Sequence, residues 1–210
     1  MTEHQSMNTI IHAAFRRDLA RFDAALGEFP DGSQERAAQL VTAWDNFAHQ
    51  LHHHHQDEET IFWPAFRELG ADESLTSDLG GEHARMLTAL DHADVIVRGL
   101  SSDPSAVRAG AARAAVGELG EVLHEHLEHE ERELEPWAAA RKDTPQLKAA
   151  GVEVRKAHKG EAGTLIAWLL DGATPDDTAA LRREIPAPVV SVLNAVPGRH
   201  YRRAVAPVWT

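Results

Sequence analysis

Cysteine is absent from this 210-residue chain. Its absence excludes disulfides, thiolate zinc sites and cysteine-held iron–sulfur clusters. Long apolar runs are missing too, none approaching the ~20 residues that span a bilayer. No block of basic residues occurs and the formal net charge is -12, so a phosphate-backbone binder is not expected. The N-terminal MTEHQSMNTI lacks the basic segment and following apolar segment of a secretory signal. A soluble cytoplasmic protein is expected, with no membrane and no nucleic-acid partner. Only one tyrosine is present. It stands in a small basic cluster, Gly198-Arg199-His200-Tyr201-Arg202-Arg203, which reads as a surface turn with solvated arginines.

Alternating strand-like stretches are also missing, and apolar residues recur instead at three- and four-residue spacing. Ile11, Phe15, Leu19, Phe22 and Leu26 share one helical face. Ser33 is the expected N-cap of a second helix whose stripe is Trp44, Phe47, Leu51, Phe62, Ala65 and Leu69, with Gly70 ending it. A third helix carries Leu79, Met86, Leu90 and Val97 up to Gly99. A fourth begins at Asp103-Pro104 and carries Val116, Leu119, Leu123, Leu134 and Trp137. The expected fold is all-α, an up-down-up-down four-helix bundle over residues 1–142. Thr144-Pro145 opens a further helix with an apolar end at Leu165, Ile166, Trp168 and Leu169, and Thr174-Pro175 opens a short one. Residues 143–210 are too few for an independent core and are expected as a helical extension packed on the bundle. The alternative to a plain surface turn at its end is a tail that caps the bundle and limits solvent access to its interior.

Histidine is what the chain has in excess: 14 residues, unevenly placed. Both dense clusters end in paired glutamates, in LHHHHQDEETIFWP (51–64) and LHEHLEHEERELEP (123–136). Shifted by 72 residues, these segments superpose His52 on His124, His54 on His126, Glu58 on Glu130 and Glu59 on Glu131, while His55 meets Leu127. At about 100° per residue, His54 and Glu58 lie about 60° and 20° from the Leu51 seam, whereas His52 lies about 100° away. His55 is about 40° to the other side, so His55/Glu59 is a second possible pair, and the repeat favours His54/Glu58. An offset of 71 lays His12 over His83, each within its own helix seam.

Each bundle helix thus sends one histidine inward, and two add a glutamate one turn later. His12, His54, Glu58, His83, His126 and Glu130 form the expected metal set. Buried carboxylates need a compensating charge, and nitrogen and oxygen donors without thiolate suit iron, manganese or zinc. Glu59 and Glu131 are expected to orient ligands. His49, His52, His53, His55 and His129 are read as solvated or outside the first layer, and His4, His92, His158 and His200 as structural or exposed.

The early His12, His54-x-x-x-Glu58 running into Phe62-Trp63-Pro64, the single His83, and His126-x-x-x-Glu130 running into Leu134-Glu135-Pro136 together resemble the hemerythrin-like (HHE cation-binding) family over residues 6–141. The resemblance implies two non-haem irons bridged by Glu58, Glu130 and an oxo or hydroxo group. His54 and His126 would then be terminal ligands, and His12 and His83 would complete the shells. It also implies a small oxidant or gas as ligand: H2O2, O2 or NO. Oxygen-carrying hemerythrins have two histidines one turn apart on the third helix, where this chain has His83 and then Leu87. One imidazole fewer favours redox turnover of peroxide, a catalase- or peroxidase-like activity, over simple O2 carriage. The alternative is an O2- or NO-binding or iron-sensing module without turnover. A ferritin-like di-iron site would need Glu-x-x-His on two helices, and the chain offers it once, at Glu121-x-x-His124.

Overall fold

A computed structural model of the chain describes residues 6–210, which leaves His4 outside the described residues. The described residues are helical throughout, without strands. The long segments are α1 (Met7–Gly27), α2 (Gln34–Asp57), α4 (Glu73–Arg98) and α5 (Ala106–Ala139). Between α2 and α4 lie a π-helical turn, Glu58–Phe62, and the short α3 (Trp63–Glu68). After α5 come α6 (Pro145–Ala157), α7 (Ala162–Leu170), α8 (Pro175–Glu184), α9 (Ala187–Ala195) and α10 (Arg199–Ala204). None is long and apolar enough to cross a membrane.

Local chemistry sets the helix starts. The side chains of Ser6, Ser33 and Ser105 each accept the backbone N–H three residues on, satisfying a donor that has no partner inside the helix. The α5 cap is therefore Ser105, not Asp103. Pro104 stays outside the helix, where its carbonyl accepts from the Gly32 N–H at 2.8 Å. Gly32 and Gly70 end their turns at φ of 77° and 80°, a region closed to most side chains.

Phe15, Phe22, Trp44, Phe47, Leu51, Met86, Leu90, Leu119 and Leu123 belong to one buried cluster built from all four long helices. A smaller cluster of Trp63, Phe66, Ala71, Leu79 and Leu134 lies beyond it.

Residues after 142 share the main cluster. Trp168 is fully buried, 5.1 Å ring to ring from Phe15, and its Nε1–H donates to the buried Asp18 at 2.7 Å. Trp209 packs edge-on to Phe22 at 5.0 Å. Two expectations fail in this stretch. The single helix expected from Thr144 to Leu169 is interrupted at residues 158–161, and its halves α6 and α7 pack on different partners. The basic stretch at 198–203 is a helix, α10, rather than a surface turn. Its arginines are exposed, but Tyr201 is fully buried and donates to Asp171 at 2.9 Å.

Candidate metal centre

The π-helical turn is where the continuous-helix reading of residues 34–69 breaks down. The Glu58 N–H donates to the carbonyls of both His54 and His55, and the Trp63 N–H reaches back five residues to Glu58. One extra residue in the turn re-phases the helix beyond it, so Trp63, Ala65 and Phe66 are buried while Phe62 and Leu69 are only half-buried. Single π-turns inside helices are a frequent mark of functional sites. Pro64, which has no N–H to donate, favours an irregular ladder. Proline alone is not sufficient, since Pro136 stands at the matching place inside an uninterrupted α5.

The six residues singled out by the repeat converge. His12, His83, His126, Glu58 and Glu130 are each at most 5 % exposed, and the His54 side chain is 8 % exposed. They fall into two overlapping groups whose ligand atoms lie within 4.8 Å of one another: His12, His54, Glu58 and Glu130, and His55, Glu58, His83 and His126. Glu58 belongs to both. Its Oε1 is 3.3 Å from His54 Nε2 and its Oε2 3.5 Å from His83 Nε2.

His55 is the departure from expectation. It is 2 % exposed and sits 4.5 Å from the His83 ring and 5.0 Å from the His126 ring. The repeat argued against it because Leu127 holds the matching place. Leu127 is itself buried, so the position faces inward in both copies but carries an imidazole in only one. The two histidine pairs do not compete: His54 serves one group and His55 the other. The count of imidazoles therefore rises to five, with the fifth supplied by α2 rather than by the helix that carries Leu87.

Outer contacts fix the tautomers. His12 Nδ1 meets Glu131 Oε1 at 2.9 Å, His83 Nδ1 meets Glu59 Oε1 at 2.9 Å, and His126 Nδ1 meets Glu82 Oε2 at 3.1 Å. His55 Nδ1 meets the Leu51 carbonyl at 2.9 Å. Carboxylates and carbonyls only accept, so in each case Nδ1 carries the proton and Nε2 presents a lone pair inward. Second contacts of this kind orient metal-binding imidazoles and raise their basicity. Glu59 and Glu131, expected as orienting partners, each accept from a ring Nδ1. Glu82 and Arg16 went unnoticed in the sequence. Glu82 also accepts from His129 at 2.8 Å, and Arg16 grips Glu131 through two bonds of 2.7 and 3.0 Å. The repeat gives no hint of either, because its matches are Ile11 and Leu87.

The inward atoms are short of partners. Both Glu58 oxygens, Glu130 Oε2 and His55 Nε2 are buried without a hydrogen-bond partner among the described residues. The facing Nε2 atoms of His12 and His54 are 3.2 Å apart, as are those of His83 and His126. His83 and His126 both carry the proton on Nδ1, so two lone pairs face each other there and repel, yet donor atoms sharing an ion at ~2.1 Å sit roughly 3.0–3.4 Å apart. The residues fit a metal.

Electrostatics agree. Burial, then neighbouring imidazoles, push His54 and His55 well below the ordinary histidine value, toward the neutral form that binds metal. Burial and the His126 charge bring His83 down to about 4. Burial and the nearby Glu130 raise Glu58 well above the carboxylate range. For Glu130 burial acts in the same sense, but the nearby His12, His54 and His126 imidazoles outweigh it and hold the acid down to about 2. His12 is raised, because Glu130 and Glu131 overcome its burial. Such opposed shifts in one buried cluster mark a functional site.

The remaining described histidines lie outside these two groups. His52, His92, His124 and His200 are exposed, and Glu121 is exposed with His124, so the lone ferritin-like pair faces solvent. His49, His53 and His158 gather on an outer face of α2.

A family model described as hemerythrin HHE cation-binding domain matches residues 10–138, well over half of the chain. No curated protein and no solved structure matches.

Proposed function

Because the chain belongs to the hemerythrin HHE cation-binding family, we propose that it holds two non-haem irons and reacts there with a small oxidant, turning over H2O2. One group of ligands is His12, His54, Glu58 and Glu130; the other is His55, His83 and His126 with Glu58 shared. The observation that carries this reading is Glu58, common to both groups and with both oxygens unpartnered. In this reading the four long helices form an up-down-up-down bundle, residues 1–142, and residues 143–210 are an extension that shields it. The nitrogen and oxygen donors would also take manganese or zinc.

When bound, iron supplies redox capacity and Lewis acidity. The chain does the rest. Glu59, Glu82, Glu131 and the Leu51 carbonyl hold four imidazoles in one tautomer and one orientation. Phe15 lies 5.6 Å from His54, and Trp63 stacks on His83 at 4.7 Å, so apolar rings wall both sides and keep bulk water away. The donor sets are unequal, three imidazoles with one carboxylate against two imidazoles with two carboxylates. The group with fewer imidazoles, around His12 and His54, is where a small ligand is expected to bind.

His55 favours a second reading, an O2- or NO-binding or iron-sensing module without turnover, because it restores the imidazole missing from the helix of His83. The two are separated by adding O2, H2O2 and NO in turn to anaerobically prepared iron-loaded protein. Rapid O2 evolution from H2O2 supports turnover. A stable, reversible O2 or NO spectrum with no O2 evolved from H2O2 supports the second reading.

A further inference from the structure

His49 and His53 stand one turn apart on the outer face of α2, with ring centroids 4.2 Å apart. Glu161, which precedes α7, reaches them from a distant part of the chain, its Oε2 3.0 Å from His49 Nε2. The ligand atoms of these three residues lie within 4.8 Å of one another. His158 stands beside them, its ring 4.9 Å from that of His53 and its Nδ1 3.6 Å from the same Glu161 oxygen. Asp57 anchors His158 through Nε2 at 2.9 Å. Two segments roughly a hundred residues apart thus bring three imidazoles around one carboxylate.

An exposed His–Glu ion pair is worth only ~0–1 kcal/mol, and it needs one imidazole rather than three. We propose that His49, His53 and Glu161 form a second, peripheral site for a divalent cation of the zinc class. Two histidines at i and i+4 on one helix face, joined by one carboxylate from a distant segment, make a two-nitrogen, one-oxygen set that leaves a fourth position for water. Ligand atoms around a zinc ion at ~2.0–2.1 Å sit roughly 3.4 Å apart. Small rotamer changes in these surface side chains close the set to that distance. His158, held by Asp57, steadies the carboxylate in the metal-free form. The site shares no ligand with the interior centre and does not depend on what that centre does. It ties α2 to the break between α6 and α7, so a bound ion fastens the C-terminal segment to the helix that carries His54 and His55.

The test uses the full chain loaded with iron, titrated with zinc in a calorimeter, with iron and zinc counted in the same sample. One zinc per chain beyond the iron is expected. His49→Ala or Glu161→Gln should weaken it at least tenfold, and the double variant should abolish it, with the iron count unchanged. No zinc uptake, or equal uptake by the unaltered chain and the double variant, would overturn the proposal. Should a variant fold poorly, anomalous diffraction from zinc-soaked crystals of the unaltered protein decides. A peak among the three side chains supports the site, and a peak elsewhere or none overturns it.

Discussion

The Nε2 atoms of His83 and His126 lie 3.2 Å apart, each turned inward because a carboxylate holds the opposite ring nitrogen. Glu59 serves His83 and Glu82 serves His126. Removing either carboxylate frees a ring to rotate and lowers its basicity. Glu59→Gln and Glu82→Gln should each weaken metal binding by about 10- to 100-fold, measured by competition with a chelator. Unchanged affinity in both would separate these contacts from metal binding.

His55 distinguishes the two halves of the repeat. His55→Leu copies the residue that the second half already carries at Leu127. The folded chain should keep its helicity, because a buried leucine fits the matching place. It should lose most of one metal equivalent, from the group containing His83 and His126. Elemental analysis and far-UV dichroism on one sample check both. Full metal content would show that His55 is a core residue only.

Metal-free protein should respond to acid through its histidines. His83 lies at about 4 against an ordinary 6.5, and His54 and His55 move in the same direction, largely through burial. Between these values the unfolded chain binds protons that the folded chain refuses, so stability falls as pH drops from about 6.5 to about 4. Glu131, held down to about 2 by His12 and Arg16 against its burial, adds a further loss as pH falls from 4.5 toward 2. His12 acts in the opposite sense: its contribution is present below 6.5 and is lost as pH rises through its elevated value. His54, His55, His83 and His126 are lowered, four groups against the raised His12 and the raised Glu58, which acts in the same sense as His12. Thermal melts of chelator-treated protein should therefore give lower midpoints at pH 4.5 than at pH 7, and a flat or inverted profile would contradict this account.

Trp168 joins the C-terminal segment to α1 through Phe15 and Asp18. Trp168→Ala leaves a large cavity and takes a hydrogen bond from a buried carboxylate. It should cost about 3–5 kcal/mol, read from denaturant unfolding. A cost below ~1 kcal/mol would mean that the segment adds little to the core.

Much of this was legible in the residues. Helical periodicity and the Ser33 and Thr144-Pro145 signals place their elements well, because caps and amphipathic faces are local properties. The 72- and 71-residue offsets brought out His12, His54, His83, His126, Glu58 and Glu130, which the fold gathers together. The same symmetry ranked His55 second to His54, because a repeat reports only what both copies share. The π-turn was hidden as well: a one-residue insertion in the hydrogen-bond ladder leaves no compositional mark, and Pro64 and Pro136 look alike while their helices differ. Glu82, Arg16 and the His49–His53–Glu161 group depend on which helices and turns face one another. Spacing within one segment does not contain that information.

The most direct test of the central claim is the iron count of anaerobically reconstituted full chain, compared with its Glu58→Gln variant. Two irons per chain are expected, falling to one or fewer in the variant, because Glu58 is the residue that both groups share. One iron or none in the unaltered protein, or two retained when Glu58 is changed, would contradict a shared two-metal centre.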